Sequence, residues 1–122
     1  MEMRPLKKTR KTRIFISGPV SEPLAEHGYL YVYNRFLIAQ DVAWQLFPNA
    51  KIHNPMMLCN ANWSWLRCMV VCLFRLMFSD VVLVMPGSEE SRGSRIEVRM
   101  ARKLKKTIVK IMKYNIKKAP ET

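Results

Sequence analysis

The residues best suited to chemistry lie in a short polar loop that runs directly into a helical pattern. This loop covers residues 88–94, SEESRGS, and the predicted helix extends from about 95 to 104. Unpaired amides at the start of a helix, aided by a nearby glycine, form a seat for an anion such as phosphate. The residues predicted to bind that anion are Ser91, Arg92, Gly93 and Ser94.

The same segment also fits a capping box, which stabilises a helix without any ligand. Ser94 would be the N-cap, and Glu97, three residues later, would reach back to the backbone N–H of the cap. The pattern alone favours this cap over a catalytic role for Glu97. The local sequence therefore leaves both interpretations open.

Cysteine and histidine side chains are the commonest zinc ligands, and this chain has three cysteines and two histidines. Three cysteines are too few for a disulfide framework in a chain of 122 residues, and they indicate reduced thiols in a cytoplasmic protein. Cys68 and Cys72 share a helix face and could hold a metal with His27 or His53, but two thiols without a second ligand pair are a weak signal. We therefore predict small buried thiols, no metal site and no cofactor.

Short apolar runs alternate with helical patterns along the chain. The runs at 14–16, 51–53, 81–85 and 108–112 predict strands, those at about 29–47, 63–78 and 95–104 predict helices, and 19–27 is interpreted as a mobile loop. This order with short connections predicts a doubly wound, Rossmann-like α/β fold. Its mainly parallel sheet would contain four to five strands flanked by helices on both faces.

Ligands of such sheets bind beyond the carboxyl ends of the strands. The loops that arrive there are 17–19, 53–55 and 86–97. We therefore expect further substrate contacts from Ser17, Gly18, Pro19 and Asn54.

The predicted helix 63–78 is apolar almost all round, as in a helix sandwiched in a core or shared with another subunit. Trp63 and Trp65 are by type core or interface residues, although either could stack on a base. The apolar stretch 65–78 is short of the ~20 residues needed to cross a bilayer, so no membrane span is predicted.

The net charge of +12 is concentrated at the two ends of the chain. Residues 1–13 carry +5 and residues 95–122 carry +8, whereas 14–94 carry −1. We predict a basic arm at 1–12, one domain at 13–112 and a basic tail at 113–122. The basic ends either attract a polyanion such as nucleic acid or keep the protein soluble.

Several short motifs occur in the order of the predicted elements: Ile16-Ser17-Gly18-Pro19, Asn54-Pro55, Trp65 with Met69, Ser79-Asp80, Pro86-Gly87, Ser91-Arg92-Gly93, Glu97-Val98 and Ala101. In their order and spacing they resemble the nucleoside 2-deoxyribosyltransferase-like family. That family includes short phage and bacterial members and the related deoxynucleoside 5'-monophosphate N-glycosidases. The resemblance covers about residues 13–112.

The resemblance implies a doubly wound fold and a homodimer or larger homo-oligomer with its site near a subunit boundary, which suits helix 63–78. In the family, a glutamate after the third strand attacks the anomeric carbon of a nucleoside and expels the base. Water or a second base then takes the sugar, as in covalent catalysis by retaining glycosidases. Glu97 matches the nucleophile, and Ser91 matches the position where monophosphate-specific members hold phosphate.

Two positions differ from the family pattern. An aspartate that assists the leaving base is replaced by Cys72, and a tyrosine that orients the nucleophile is replaced by Phe15. A thiol protonates a base less readily than a carboxyl group does at neutral pH. These replacements predict activity that is slow, altered in substrate or lost.

Three functions follow from these features. We favour an enzyme that cleaves or transfers the N-glycosidic bond of a (deoxy)nucleoside 5'-monophosphate through Glu97. The first alternative is a catalytically impaired nucleotide-binding module of the same fold. The second is an accessory nucleic-acid-binding protein whose basic ends hold phosphates without reading bases.

Overall fold

The computed structural model describes residues 11–60 and 62–111. The predicted tail, and all but the last two residues of the predicted arm, lie outside the described residues. The elements are β1 (Arg13–Ser17), α1 (Ser21–His27), α2 (Tyr29–Leu46), β2 (Lys51–His53), α3 (Pro55–Leu58), α4 (Trp65–Met77), β3 (Val81–Val84), α5 (Arg92–Lys103) and β4 (Thr107–Lys110), with a 3-10 turn at Ser88–Glu90.

The four strands form one parallel sheet in the order β2-β1-β3-β4. Successive side chains of a strand point to opposite faces of the sheet. Ile14 and Ile16 accordingly pack on one face in clusters that include residues of α2, whereas Phe15 packs on the other face with residues of α4 and α5. Helices thus cover both faces, which confirms the predicted α/β architecture.

Helix α4 buries one face and exposes the other. Met69, Cys72 and Leu76 are buried, whereas Leu66, Val70 and Phe74 are more than half exposed. The residues of each set are three or four positions apart, so each set forms a stripe along the helix. Apolar residues therefore occur all round this helix, but only those on one side pack in the core.

The segment predicted as a loop over 19–27 is in part a helix, which corrects that prediction. Pro23 lies in the first turn of α1, where the missing N–H of proline is tolerated, and Gly28 ends the helix at a φ of 90°. The strand prediction at 51–53 is confirmed, and the short helix α3 follows it.

In the residues that the structure describes, no helix is both long and apolar enough to cross a membrane.

Candidate active site

A buried carboxyl group lies where the carboxyl end of β1 meets α5. Glu97 is only 5% exposed, and the Ser17 hydroxyl donates a hydrogen bond of 2.7 Å to its Oε1. Ser17 follows Phe15 by two positions, so strand alternation points it to the same face, towards α5. The fold thus joins two residues that are 80 positions apart in the chain.

A second hydroxyl extends this contact. The Oγ atoms of Ser17 and Ser94 are 2.7 Å apart. A hydroxyl has only one proton to donate. When Ser17 donates to the Glu97 carboxylate, Ser94 must therefore donate to Ser17, and the three side chains form a directed chain that ends on the carboxylate.

Burial dominates the acid–base behaviour of Glu97. It raises the pKa of the carboxyl to about 8, although the hydrogen bond from Ser17 acts in the opposite direction. The free protein therefore holds Glu97 mostly protonated at neutral pH. A carboxyl whose pKa is shifted this far inside a cleft is a candidate for acid–base or nucleophilic chemistry.

The N-terminus of α5 differs from the predicted capping box. Ser91, and not Ser94, is the N-cap, and its Oγ accepts a hydrogen bond from the Ser94 N–H at 3.4 Å. Glu97 consequently lies in the second turn and bonds to Ser17 instead of the cap. The earlier start places Ser94 and Glu97, three residues apart, on the helix face that meets β1.

A pocket of about 290 Å³ opens in front of this carboxyl. Residues predicted from the sequence to contact the substrate line part of it: Gly18, Ser91, Gly93, Ser94 and Glu97. Much of the remaining lining is apolar and aromatic and includes Tyr29, Trp63, Trp65, Met69 and Cys72. Tyr29 was missed because nothing in its local pattern shows that the start of α2 faces α4.

Two glycines are required by close approach to methionine side chains. A Cβ at Gly18 would collide with Met85, and a Cβ at Gly93 would lie 3.1 Å from the Met69 Sδ. Both positions border the pocket. A larger residue at either one would have to displace a neighbour or fill space beside Glu97.

Four of the predicted contact residues do not line the pocket, and one of them, Ser17, meets it only through its hydrogen bond to Glu97. Asn54 caps α3 by accepting from the Met56 N–H and also donates to Gln40, so its polar atoms are engaged within the protein. Pro19 lies beside Gly87. Arg92 stacks on Trp65, with its Cζ 4.3 Å from the ring centroid, and so holds a positive charge next to the pocket wall.

The cysteines correct the expectation of three reduced thiols. Cys59 and Cys68 are joined by a disulfide, and Cys72 is free and buried. The possible metal ligands that cluster in the described residues are these three cysteines, without His27 or His53. The pairing was missed because Cys59 lies in a loop whose approach to α4 is not given by sequence spacing.

Cys72 borders the pocket as a neutral thiol. Its Sγ is 3.8 Å from the Cys59 Sγ, and burial together with the nearby Glu97 raises the pKa of the thiol to about 12. Burial lowers the pKa of His53, at the end of β2, and the charges of Arg75, Lys51 and Arg13 lower it further.

The fold and the pocket define an α/β domain with a buried carboxyl at the carboxyl edge of a parallel sheet. Residues 12–110 match the family described as "Domain of unknown function (DUF4406)", and the chain therefore belongs to that family. The comparison with curated proteins found no match. Among solved structures, the chain is similar to the CMP N-glycosidase BcmB of Clostridium botulinum, at 18% identity over 88% of this chain and 79% of that chain, with a TM-score of 0.49.

Proposed function

We propose that this protein cleaves the N-glycosidic bond of a nucleoside 5'-monophosphate, with Glu97 as the nucleophile. The observation that carries the proposal is a single buried carboxyl, held by Ser17, on the floor of a pocket that also includes the N-terminal residues of α5. The motif order shared with nucleoside 2-deoxyribosyltransferase-like proteins supports the same reaction and a 2'-deoxy sugar.

The chemistry is nucleophilic displacement at the anomeric carbon. The Glu97 carboxylate forms a bond to C1' while the bond from C1' to the base nitrogen breaks, and the base leaves with that electron pair. Water protonates the base and then hydrolyses the glycosyl ester, or a second base takes its place as acceptor. Retaining glycosidases divide a difficult displacement into two steps in the same way.

The N-terminus of α5 is suited to hold the 5'-phosphate. The first backbone amides of a helix have no acceptor within the helix, and the helix dipole favours an anion there. Ser91 and Gly93 line the pocket at this point, and six residues of helix separate Ser91 from Glu97, about 9 Å along the axis. That spacing leaves room for a sugar ring between the phosphate and the carboxylate.

The aromatic wall is suited to hold the base. Trp63 and Trp65 line the pocket, and each carries an arginine on its ring: Arg67 lies 4.4 Å from the Trp63 centroid and Arg92 lies 4.3 Å from the Trp65 centroid. A base can stack on an indole ring, while the two guanidinium groups add positive charge for a phosphorylated substrate. These contacts favour a nucleotide over a free nucleoside.

A second candidate function, nucleotide binding without turnover, is favoured by the surroundings of the carboxyl. Cys72 lies beside Glu97 as a thiol with a pKa raised to about 12, and such a group is a poor proton donor to a leaving base. Phe15 is fully buried and brings no hydroxyl to the carboxyl. Ser17 supplies a hydroxyl instead, which is why we place the enzyme first.

We propose that the protein acts as a homodimer or larger homo-oligomer through the exposed stripe of α4. Leu66, Val70 and Phe74 are 65%, 59% and 57% exposed and lie four residues apart on one helix face. Contiguous exposed apolar side chains of this kind mark interaction sites in soluble proteins. The proposal of nucleic-acid binding by residues 1–12 and 113–122 stays a prediction.

The decisive experiment incubates the protein with a panel of ribo- and deoxyribonucleoside monophosphates and measures released base by chromatography. We expect release by the wild type and a loss of at least about a thousandfold in Glu97→Gln. Glu90→Gln is the matched control because it removes an exposed carboxyl seven residues earlier. Nucleotide binding without release would support the second candidate, and equal release by Glu97→Gln would exclude Glu97 as the nucleophile.

A further inference from the structure

A second cavity, of about 340 Å³, lies on the other side of α5, at the carboxyl ends of β3 and β4. None of the residues that line it also lines the pocket in front of Glu97. Its floor is apolar and contains Val84, Met85, Val98 and Ile111. The chemistry proposed for Glu97 makes no use of this cavity.

The rim of this cavity is strongly basic. Arg95, Arg99 and Arg102 are three or four residues apart, so they share one helix face, and Lys110 of β4 joins them. Glu89 is the acidic residue of the lining. The Arg95 Nη1 donates to the Glu89 backbone oxygen at 3.1 Å, which leaves the guanidinium charge unneutralised.

The other cations of the rim have no counter-ion in the described part of the chain. No ion pair occurs there for Arg99, Arg102 or Lys110, and all three are exposed. Four cations facing one carboxylate generate a positive potential that a polyanion would neutralise. The charge pattern therefore defines the chemistry of the partner.

We propose that this basic rim binds the sugar–phosphate backbone of nucleic acid. Arg95 and Arg102 are about 10 Å apart along the helix axis, which exceeds the reach of one phosphate and fits a chain of them. Arginine forks bind phosphate oxygens in pairs of hydrogen bonds. Beyond Ile111, which lines the cavity, the sequence continues with Lys113, Lys117 and Lys118.

The residues that line the cavity also indicate how far such binding would depend on the nucleotide sequence. It contains no asparagine, glutamine or aromatic residue, which are the side chains that pair with adenine edges or stack on bases. The arginines and Lys110 can pair with guanine edges as well as with phosphates, so binding would depend strongly on charge and salt and on sequence only through guanine.

The test measures the fluorescence anisotropy of a labelled single-stranded 20-mer of mixed sequence against protein, at several salt concentrations. Arg99→Gln/Arg102→Gln should weaken binding at least about tenfold and make the slope of log affinity against log salt shallower by about 1.4, because two phosphate contacts are lost. Lys51→Gln/Arg75→Gln is the matched control, since it removes the same charge from exposed residues that neither line this cavity nor belong to the basic ends.

The control should retain wild-type affinity within about twofold. Equal weakening by the two double variants would overturn the proposal, because net charge alone would then explain binding. Binding to vesicles that contain anionic lipid, without binding to the oligonucleotide, would also overturn it and assign the face to a membrane. Glu97→Gln should bind the oligonucleotide as the wild type does, so loss of base release and loss of this site are separable.

Discussion

The two faces of α5 border two cavities of similar volume and opposite character. The inner face brings Ser94, Glu97 and Ala101 into the core, and the outer face carries Arg95, Arg99 and Arg102 into solvent. Both sets arise from one 12-residue helix because its turn of 3.6 residues separates them. The inner cavity places one carboxyl group among largely apolar residues, whereas the outer cavity keeps several charges exposed to solvent.

This difference shows that burial changes the pKa of a reactive group, whereas exposure leaves a charged group free to attract a ligand. Desolvation moves the pKa of Glu97 to about 8, near the pH at which proteins operate. A general acid or base is most useful when its pKa lies there. The exposed arginines keep their charge at every physiological pH and act on a polyanion over a distance set by the salt concentration. The following predictions separate the two faces.

The largest effect concerns stability against pH and involves the inner face only. Burial raises the pKa of Glu97 from an ordinary value of 4.5, which applies to the unfolded chain, to about 8 in the folded protein. Between these values the folded state binds more protons, so stability falls as pH rises, by about 1.4 kcal/mol per pH unit. Glu97→Gln removes this pH dependence because glutamine does not titrate. The unfolding free energy of Glu97→Gln minus that of the wild type should therefore increase from pH 5 to pH 8.

Urea unfolding at pH 5, 6.5 and 8 measures this difference, and other titrating groups cancel because both proteins share them. Glu90→Gln should follow the wild type at each pH, since Glu90 is exposed. Parallel curves for the wild type and Glu97→Gln would show that the carboxyl is not desolvated as the structure has it.

The second effect comes from the disulfide on the wall of the inner cavity. Cys59 and Cys68 close a loop of nine residues' separation, and reducing such a crosslink costs about 2–3 kcal/mol. Urea unfolding with and without dithiothreitol should show this loss in the wild type. Cys59→Ser/Cys68→Ser should be insensitive to the reductant. Oligonucleotide binding at the outer cavity should not change on reduction.

A count of free thiols under denaturing conditions tests directly whether the disulfide is present. Oxidised protein should show one free thiol, that of Cys72. Three free thiols in protein purified without reductant, together with unfolding curves that do not respond to dithiothreitol, would contradict the disulfide.

Local patterns predicted the framework better than they predicted the site. The buried run at 81–85 could be assigned to a central strand because β-branched residues flanked by polar and turn residues favour that structure. The cap of α5 could not be assigned, because Ser91 and Ser94 have the same capping chemistry and only the contact with β1 selects the earlier start. The position of Glu97 beside Ser17 likewise depends on strand pairing and not on spacing.

Charge shows the same limit. Arg92 and Arg95 lie close together in the sequence, near the start of α5, and Arg92 was predicted to bind an anion. In the structure the two side chains lie in different places. Arg92 stacks on Trp65, whereas Arg95, three residues further along the helix, lines the outer cavity beside the 3-10 turn. The sequence gives the net charge, whereas the fold determines on which surface each charged side chain lies.

The smallest effect that still distinguishes the two faces is the loss of one hydroxyl. Ser17→Ala removes the donor that favours the Glu97 carboxylate, so the pKa of Glu97 should rise further. For the wild type, kcat/KM for base release should increase with pH through about 8 as the nucleophile ionises. In Ser17→Ala the profile should shift to higher pH, with a rate about tenfold lower at neutral pH.

Ser88→Ala is the matched control, because Ser88 is a buried serine whose hydroxyl donates to the backbone oxygens of Met85 and Ser17 and not to the Glu97 carboxyl. Its removal should lower stability without moving the pH profile. If Ser17→Ala leaves the profile in place, or if Ser88→Ala shifts it equally, the hydroxyl chain does not control the ionisation of Glu97. A shift confined to Ser17→Ala, with oligonucleotide binding unchanged, would show that the two faces of α5 work independently.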